Sequence, residues 1–445
     1  AVESVSEFAC ALGINIPTGK DSLSMTQKYP EGEVVYAPGT VIISAVAEVN
    51  DIRKTISPAL EPIIGSQLIY IDFSKDDFKL GGSSLGQVLD LLGKEAPTVK
   101  DAVYFAKAFT TVQKLVEGNL ILAGHDISSG GLITTLLEMC FPTLRSGIDV
   151  NVDALGEDLI KVLFSENPGV VLQIKSEAAF HVMESESISY KKIGRVTDNH
   201  TLTIQHLSTG QAVSTLNIEN LRAQWFHTSY LLDNIQRPKG HAEKRKENFS
   251  KQPLAYQFQP EFDGKFSSYG VNPKRRTPSG IKAAIIREKG VNGDREMAYA
   301  LYLAGFDVKD VHMTDLVTGR EDLVEVNMIV FVGGFSNSDV LGSAKGWAGA
   351  FLYNPKAKAA LDNFYARPDT LSLGVCNGCQ LMMELGLVYR EMPMADHPKM
   401  HHNGSGKFES TFITINVPKN NSVMLASYEG AQLGVWLAHG EGMFK

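Results

Sequence analysis

The residues best suited to do chemistry are Gly374-Val375-Cys376-Asn377-Gly378. This is the G-x-nucleophile-x-G form of a nucleophile elbow, with Cys in the place of Ser. A strand-to-helix turn this tight leaves little room for Cβ atoms, which accounts for both glycines. The turn would hold the Cys376 thiol over the N-terminus of the next helix, whose positive end favours a thiolate. Cys379 turns the same stretch into a C-x-x-C, so a redox pair, a metal site and an inert buried thiol compete with the nucleophile. A thioredoxin-like site normally carries Pro or a neighbouring Trp, and neither is present. Zinc needs two further ligands. The remaining cysteines, Cys10 and Cys140, fall on apolar helical faces, and the nucleophile reading is favoured.

A thiolate nucleophile needs a base, and the base needs an orienting acid. Ala438-His439-Gly440-Glu441-Gly442 follows the apolar run Leu433–Leu437. Positions i and i+2 of a strand share a face, so His439 and Glu441 would face one pocket, the carboxylate steering the ring. Gly333-Gly334-Phe335 at a strand end is the candidate oxyanion hole, through free backbone N–H groups. The cluster Asp396–His402 is rich in His but matches no metal spacing, and a surface loop is expected.

Two earlier stretches have ligand-binding character. Gly124–Gly131 (GHDISSGG) is a turn at a strand end that opens a helix. There Asp126 could bind Mg²⁺, and Ser128 with the helix N–H groups could take phosphate oxygens; a plain helix cap is the rival. Gly19-Lys20 opens a loop, Gly19–Met25, that is a weaker phosphate candidate. It lacks the upstream Gly and following helix of a P-loop.

The elements that must position these groups follow from periodicity. Val2, Val5, Phe8, Ala9 and Leu12 fall at helical spacing and Gly13 ends the run. Thr40–Val49 is β-branched and apolar, as in a strand buried on both faces. Gln67–Phe73, Leu120–Ala123, Gly169–Ile174 and Thr201–Ile204 read as strands; Ser84–Leu92, Ala102–Glu117 and Leu132–Cys140 read as helices. From about Tyr230 to Gly280 sustained periodicity is lost, prolines recur, and a surface linker is expected. Then strands Lys282–Arg287, Phe306–His312, Met328–Val332 and Ser372–Val375 alternate with helices Asp294–Ala304, Ala357–Phe364 and Gln380–Leu385. That order predicts a doubly wound parallel sheet with its site outside the carboxyl ends of the strands.

Composition sets the frame. A chain of 445 residues exceeds a single small module. The net charge of -8 gives no overall attraction to nucleic acid or an anionic membrane. No apolar run approaches the roughly 18 residues of a membrane span. With 4 cysteines a disulfide framework is excluded, and a reducing, cytoplasmic setting is expected.

Several stretches together resemble the phosphoribosylformylglycinamidine (FGAM) synthase family of the large, fused type: GINIPTGKDSLSM, GHDISSGGLITTLLEM, LFSENPG, REKGVNGDREMA, GGFSNSDVLGSAKGWA, GVCNGCQ, HNGSGKFES and AHGEG. The resemblance covers essentially the whole chain. It implies the end of a second A subdomain of an aminoimidazole-ribonucleotide-synthetase-like fold (residues 1–57) and a B subdomain (58–228). A linker (229–280) and a flavodoxin-like class I glutamine amidotransferase domain (281–445) would follow. It further implies that Cys376, His439 and Glu441 split glutamine, with Gly333, Gly334, Phe335 and Gln380 at the oxyanion and glutamine site. Lys20 and Ser128 would contact nucleotide and Asp126 would hold Mg²⁺. The implied reaction takes formylglycinamide ribonucleotide (FGAR), ATP and glutamine to FGAM. Because the family's chains are longer, the resemblance also implies that the rest of the synthetase, needed to complete the FGAR site, lies outside this sequence. Three positions depart from the common pattern: Asn337 in place of Tyr, Met443 in place of Arg or an aromatic, and His401 in place of Arg.

Overall fold

A computed structural model describes residues 2–20, 25–37, 39–142, 146–206, 211–251 and 255–445. The chain divides into two compact units, Ala1–Thr228 and Ser229–Lys445.

The first unit begins with helix Val2–Leu12, which packs Phe8 edge-on against Phe105 at 5.1 Å. A small hairpin follows, β1 (Thr26–Lys28) with β2 (Val34–Tyr36). Its main sheet has seven strands: β3 (Gln67–Asp72), β4 (Ile121–Asp126), β5 (Gly147–Asn151), β6 (Gly169–Ile174), β7 (Lys191–Thr197), β8 (Thr201–His206) and β9 (Gln211–Asn217), in the order β4-β6-β3-β7-β5-β8-β9. Every neighbouring pair is antiparallel except β5 with β8. Alternation along β3 divides the core into two layers. Leu68 and Tyr70 face one cluster with Leu132, Leu136 and Met139; Ile69 and Ile71 face another with Ala108, Val112 and Leu115. Helix Ala102–Glu117 shows why such a segment forms. Asp101 caps it by accepting from the Tyr104 N–H. Ala108, Thr111, Val112 and Leu115 make its buried stripe, and Gly118 follows it.

The second unit is built on a four-stranded parallel sheet, β10 (Lys282–Arg287), β11 (Asp307–His312), β12 (Met328–Phe331) and β13 (Leu371–Gly374), in the order β11-β10-β12-β13. Both faces are covered. Ala284, Ile286, Ile329 and Phe331 pack with Trp347, Phe351, Leu361 and Phe364; Ala283, Ile285, Met328 and Val330 pack with Leu301. Each buried Ile or Phe here contributes about 1.5–3 kcal/mol. Strand order reverses between β10 and β12, and ligands bind such sheets at that crevice. Two further strand pairs belong to the unit: β14 (Met400–His401) pairs with β17 (Met443–Phe444), and β15 (Glu409–Asn416) pairs with β16 (Gln432–His439).

Four expectations from sequence are corrected. Residues 40–49 form no strand; Ile42 and Val46 are 85% and 99% exposed. An apolar strand is stable only beside a sheet, and among the described residues none pairs with it. The expected linker is helical in part: Ile218–Gln236 runs through its first residues, and His241–Asn248 forms a second helix. Ile218 anchors the first helix in the core, and ion pairs join the two helices around Asp233. Asp233 meets Arg237 at 3.0 Å and Arg245 at 2.5 Å, and Arg237 reaches Glu409 on β15. Cys10 is exposed rather than packed, whereas Cys140 is buried and its thiol is pushed up to about 12 by burial. Within the expected surface loop, His397 is buried, its Nε2 within 2.8 Å of the Tyr389 carbonyl.

Candidate active site

Cys376 stands between β13 and the helix Asn377–Glu384, at φ 53° and ψ -110°. A non-glycine residue in that region is strained by about 1–3 kcal/mol and persists only where its surroundings impose it. The surroundings do so through absent side chains. A Cβ on Gly378 would lie 2.0 Å from the Phe331 carbonyl oxygen, and one on Gly374 would lie 2.6 Å from the Gly378 oxygen. The helix therefore presses directly on β12 and β13, and the turn between them has no room to relax. The Cys376 side chain remains exposed, whereas Cys379, one turn along, is half-buried. Burial first, and then the charge of Cys376, raise the Cys379 thiol. The pair is thus unequal, with the exposed sulfur on the strained residue.

Cys376, His439, Glu441, Gly334, Phe335 and Gln380 line one cavity of about 370 Å³. His439 closes β16, the strand expected from the run Leu433–Leu437. Its Nε2 is buried without a hydrogen-bond partner among the described residues. The strand ends there, so Glu441 does not share a strand face with His439. The chain bends at Gly440, and the Glu441 backbone N–H, not its carboxylate, meets His439 Nδ1 at 3.1 Å. The Glu441 carboxylate lies 3.4 Å from His402 Nδ1. Asn403 braces this corner: its Nδ2 donates to the His439 carbonyl at 2.6 Å, and its Oδ1 accepts the Gly442 N–H at 3.0 Å.

The glycine turn after β12 differs from a pair of free donors. The Phe335 N–H donates to the Gly290 carbonyl at 2.9 Å, and the Asn292 N–H donates to the Gly333 carbonyl at 2.8 Å. These bonds bridge the loops at the two strand ends flanking the switch point, Val291 opposite Gly334. The Gly334 N–H and the Asn377 N–H donate to no acceptor among the described residues. Gly334 lines the cavity and Asn377 directly follows Cys376, the place where an elbow supplies an oxyanion donor. The G-x-C-x-G pattern already carried that signal for Asn377. Its buried side chain also ties the parts together, accepting the Ser336 N–H at 3.2 Å and donating to Gln380 Oε1 at 3.0 Å. Asp339 and Lys407, which line the same cavity, were not singled out by sequence, and His402 was read only as part of a surface loop, because no spacing rule connects three separate loops.

The turn in the first unit is arranged differently. Asp126 ends β4 with its side chain 76% exposed, 3.2 Å from His125 Nδ1. Ser128 is exposed. The Gly130 N–H, at the start of helix Gly131–Cys140, donates to Glu166 Oε1 at 2.9 Å, and the same oxygen accepts the Ser84 N–H at 2.7 Å. The protein's own carboxylate thus occupies the position that the helix terminus would offer an anion. Among the described residues no three His, Cys, Asp or Glu side chains converge as metal ligands; the side chain beside Asp126 is His125, whose Nε2 lies 3.3 Å from Glu138. Lys20 is exposed in its loop, and residues 21–24 of that loop lie outside the described residues.

Similarity to known proteins follows the same division. Residues 280–445 match the CobB/CobQ-like glutamine amidotransferase domain, residues 69–206 the AIR synthase related protein C-terminal domain, and residues 1–48 the FGAR-AT PurM_N-like domain. The chain carries an AIR synthase-like domain and a CobB/CobQ-like glutamine amidotransferase domain. Among curated relatives, a probable phosphoribosylformylglycinamidine synthase, chloroplastic/mitochondrial, of Arabidopsis thaliana is 40% identical over 99% of this chain and 31% of its own length. The Homo sapiens phosphoribosylformylglycinamidine synthase is 39% identical over 99% of this chain and 34% of its own. The chain therefore spans about a third of the length of the curated relatives it matches. Among solved structures, PurLQS of Thermotoga maritima is 25% identical over 37% of this chain and 69% of that one, with a TM-score of 0.30. T. maritima PurL complexed with ATP is 11% identical over 50% of this chain and 35% of that one, with a TM-score of 0.35. No helix among the described residues is long and apolar enough to cross a membrane.

Proposed function

We propose that this chain supplies the ammonia-producing domain, and part of the synthetase, for the ATP- and glutamine-dependent conversion of FGAR to FGAM. One observation carries the reading: a strained, exposed Cys376 shares a cavity with His439 and Glu441 at the carboxyl ends of a parallel sheet. Cys376 Sγ attacks the side-chain amide carbon of glutamine, and the carbonyl oxygen gathers negative charge. The N–H groups of Gly334 and Asn377 receive that oxygen. His439 takes the thiol proton and returns it to the leaving nitrogen, ammonia departs, and water then releases glutamate from the thioester.

The scheme requires one motion. With the Glu441 N–H on Nδ1, a neutral His439 ring carries its proton on Nε2 and cannot accept another there. For His439 to act as base, the Glu441 carboxylate must leave His402 and take a proton-bearing Nδ1. Glu441 is therefore an orienting residue whose engagement accompanies substrate.

In the complete reaction, ATP would activate the formyl amide oxygen of FGAR as a phosphoryl ester, and the released ammonia would attack its carbon and displace phosphate. Mg²⁺ would neutralise phosphate charge. Asp126 is the residue of this chain that would meet that ion. Ser128 and Lys20 stay candidates for nucleotide contact, and the free cysteines fit a reducing, cytoplasmic setting. The relative in A. thaliana is named chloroplastic/mitochondrial.

The reading is tested with 6-diazo-5-oxo-L-norleucine, a glutamine analogue that alkylates a glutaminase nucleophile. Stoichiometric label on Cys376 supports a glutaminase; labelling by simple alkylating agents alone leaves an unrelated cysteine hydrolase. Reconstitution with the N-terminal portion of a full-length relative then tests the synthetase role. FGAM formation dependent on ATP and glutamine supports it, and its absence favours a non-catalytic assembly fragment.

A further inference from the structure

The cavity beside Cys376 contains two carboxylates, and they differ in what they meet. Glu441 faces His402. Asp339 has no cationic partner among the described residues, and its Oδ1 is buried with no hydrogen-bond partner. A carboxylate oxygen left in that state is costly unless a ligand completes it.

The backbone holds Asp339 there at some expense. Asn337, Ser338 and Asp339 have φ of 52°, 54° and 52°, three successive residues in the left-handed region, and none is glycine. The run is pinned at both ends. The Asn337 N–H donates to the Lys289 carbonyl at 2.8 Å, and the Gly342 N–H donates to the Asp339 carbonyl at 2.8 Å. Asn377, next to the nucleophile, holds the Ser336 N–H. The loop is therefore indexed to the elbow, and an unanswered negative charge lines the same cavity as the sulfur. Lys407 lines that cavity too; its ammonium meets the neutral Gln236 side-chain amide and no carboxylate among the described residues. A zwitterion fits such a pair.

From this we infer that Asp339 binds the α-ammonium group of the amino-acid substrate and so makes the site selective for free glutamine over amides that lack that group. The inference rests on the glutaminase reading and deepens it. No bond is made or broken at Asp339; the contact is a charge-assisted hydrogen bond that fixes the distance from the α-carbon to Cys376.

The test compares rates of Cys376 alkylation by 6-diazo-5-oxo-L-norleucine, by its analogue lacking the amino group, and by iodoacetamide. In the unmodified chain the first reagent should exceed the second by about 10- to 100-fold in second-order rate. Equal rates there would overturn the assignment without any variant. In Asp339→Asn the diazo-ketone with the amino group should fall to the rate of the one without it. Iodoacetamide, which carries no ammonium, should react as before and so reports that the elbow is intact. An equal loss for both diazo-ketones would assign Asp339 a structural role and refute the proposal. If iodoacetamide labels Cys376 but neither diazo-ketone does, even in the unmodified chain, the glutaminase reading itself fails and the assignment falls with it.

Discussion

Two turns in this molecule share a plan: a strand, a glycine-bearing turn, then a helix. At Gly374–Gly378 the turn strains Cys376 and leaves the Asn377 N–H without an acceptor, beside a cavity. At His125–Gly131 the Gly130 N–H is already satisfied by Glu166, which also holds Ser84 from a separate helix. The same local pattern thus gives an open reactive site in one unit and a self-completed one in the other. What separates them is whether a side chain distant in sequence reaches the helix terminus. A motif of this kind therefore says where ligand-binding groups are placed and not whether they are free.

The comparison can be broken first at its tightest contact. Gly378→Ala places a Cβ 2.0 Å from a backbone oxygen that cannot move without moving β12. We expect a loss of about 3 kcal/mol or more in the stability of the second unit, with Cys376 losing its alkylation selectivity. Denaturant unfolding with parallel labelling checks this, and a stable, selectively labelled variant would contradict it. The second turn can be opened in the opposite sense. Glu166→Ala frees the Gly130 and Ser84 N–H groups and should cost about 1–3 kcal/mol in the first unit. It should also introduce stabilisation by inorganic phosphate, seen as a phosphate-dependent rise in melting temperature that the unmodified chain lacks. No such rise would mean that Glu166 does not occupy an anion position.

The smallest effect concerns the foundation of the second sheet. Backbone N–H groups of Ser279 and Gly280 and the Arg275 guanidinium hold Asp307, at the start of β11, from its ordinary 3.8 down to about 2. The Ser279 contact is the largest cause. A carboxylate with a depressed folded pKa stabilises above its unfolded value and loses that stabilisation as pH falls through the folded one. Acid unfolding of the second unit should therefore steepen between about pH 4 and pH 2. Asp307→Asn should flatten that dependence in a melting-temperature series, and an unchanged slope would count against it.

Much of this was legible in the residues. Lys282–Arg287 and Gly169–Ile174 are strands at their expected ends, because buried strands announce themselves by continuous apolar runs. The elbow was legible because its geometry demands glycine on both sides of the nucleophile. What escaped was set by partners distant in the chain. Residues 40–49 have strand composition but no pairing partner among the described residues, and helix His241–Asn248 has no apolar face yet forms beside Asp233. Within the site, the expected pairing of the Glu441 carboxylate with His439 presumed a strand that continues past residue 439. The bend at Gly440 redirects the carboxylate to His402, and no local pattern foretold that partner.

The central claim is that Cys376 is a nucleophile served by His439. Mass spectrometry of the chain acid-quenched during incubation with L-glutamine tests it most directly. The account predicts a γ-glutamyl adduct on the peptide bearing Cys376, absent from Cys379, and lost in His439→Ala. Glutamate release without an adduct, or an adduct that survives the loss of His439, would contradict it.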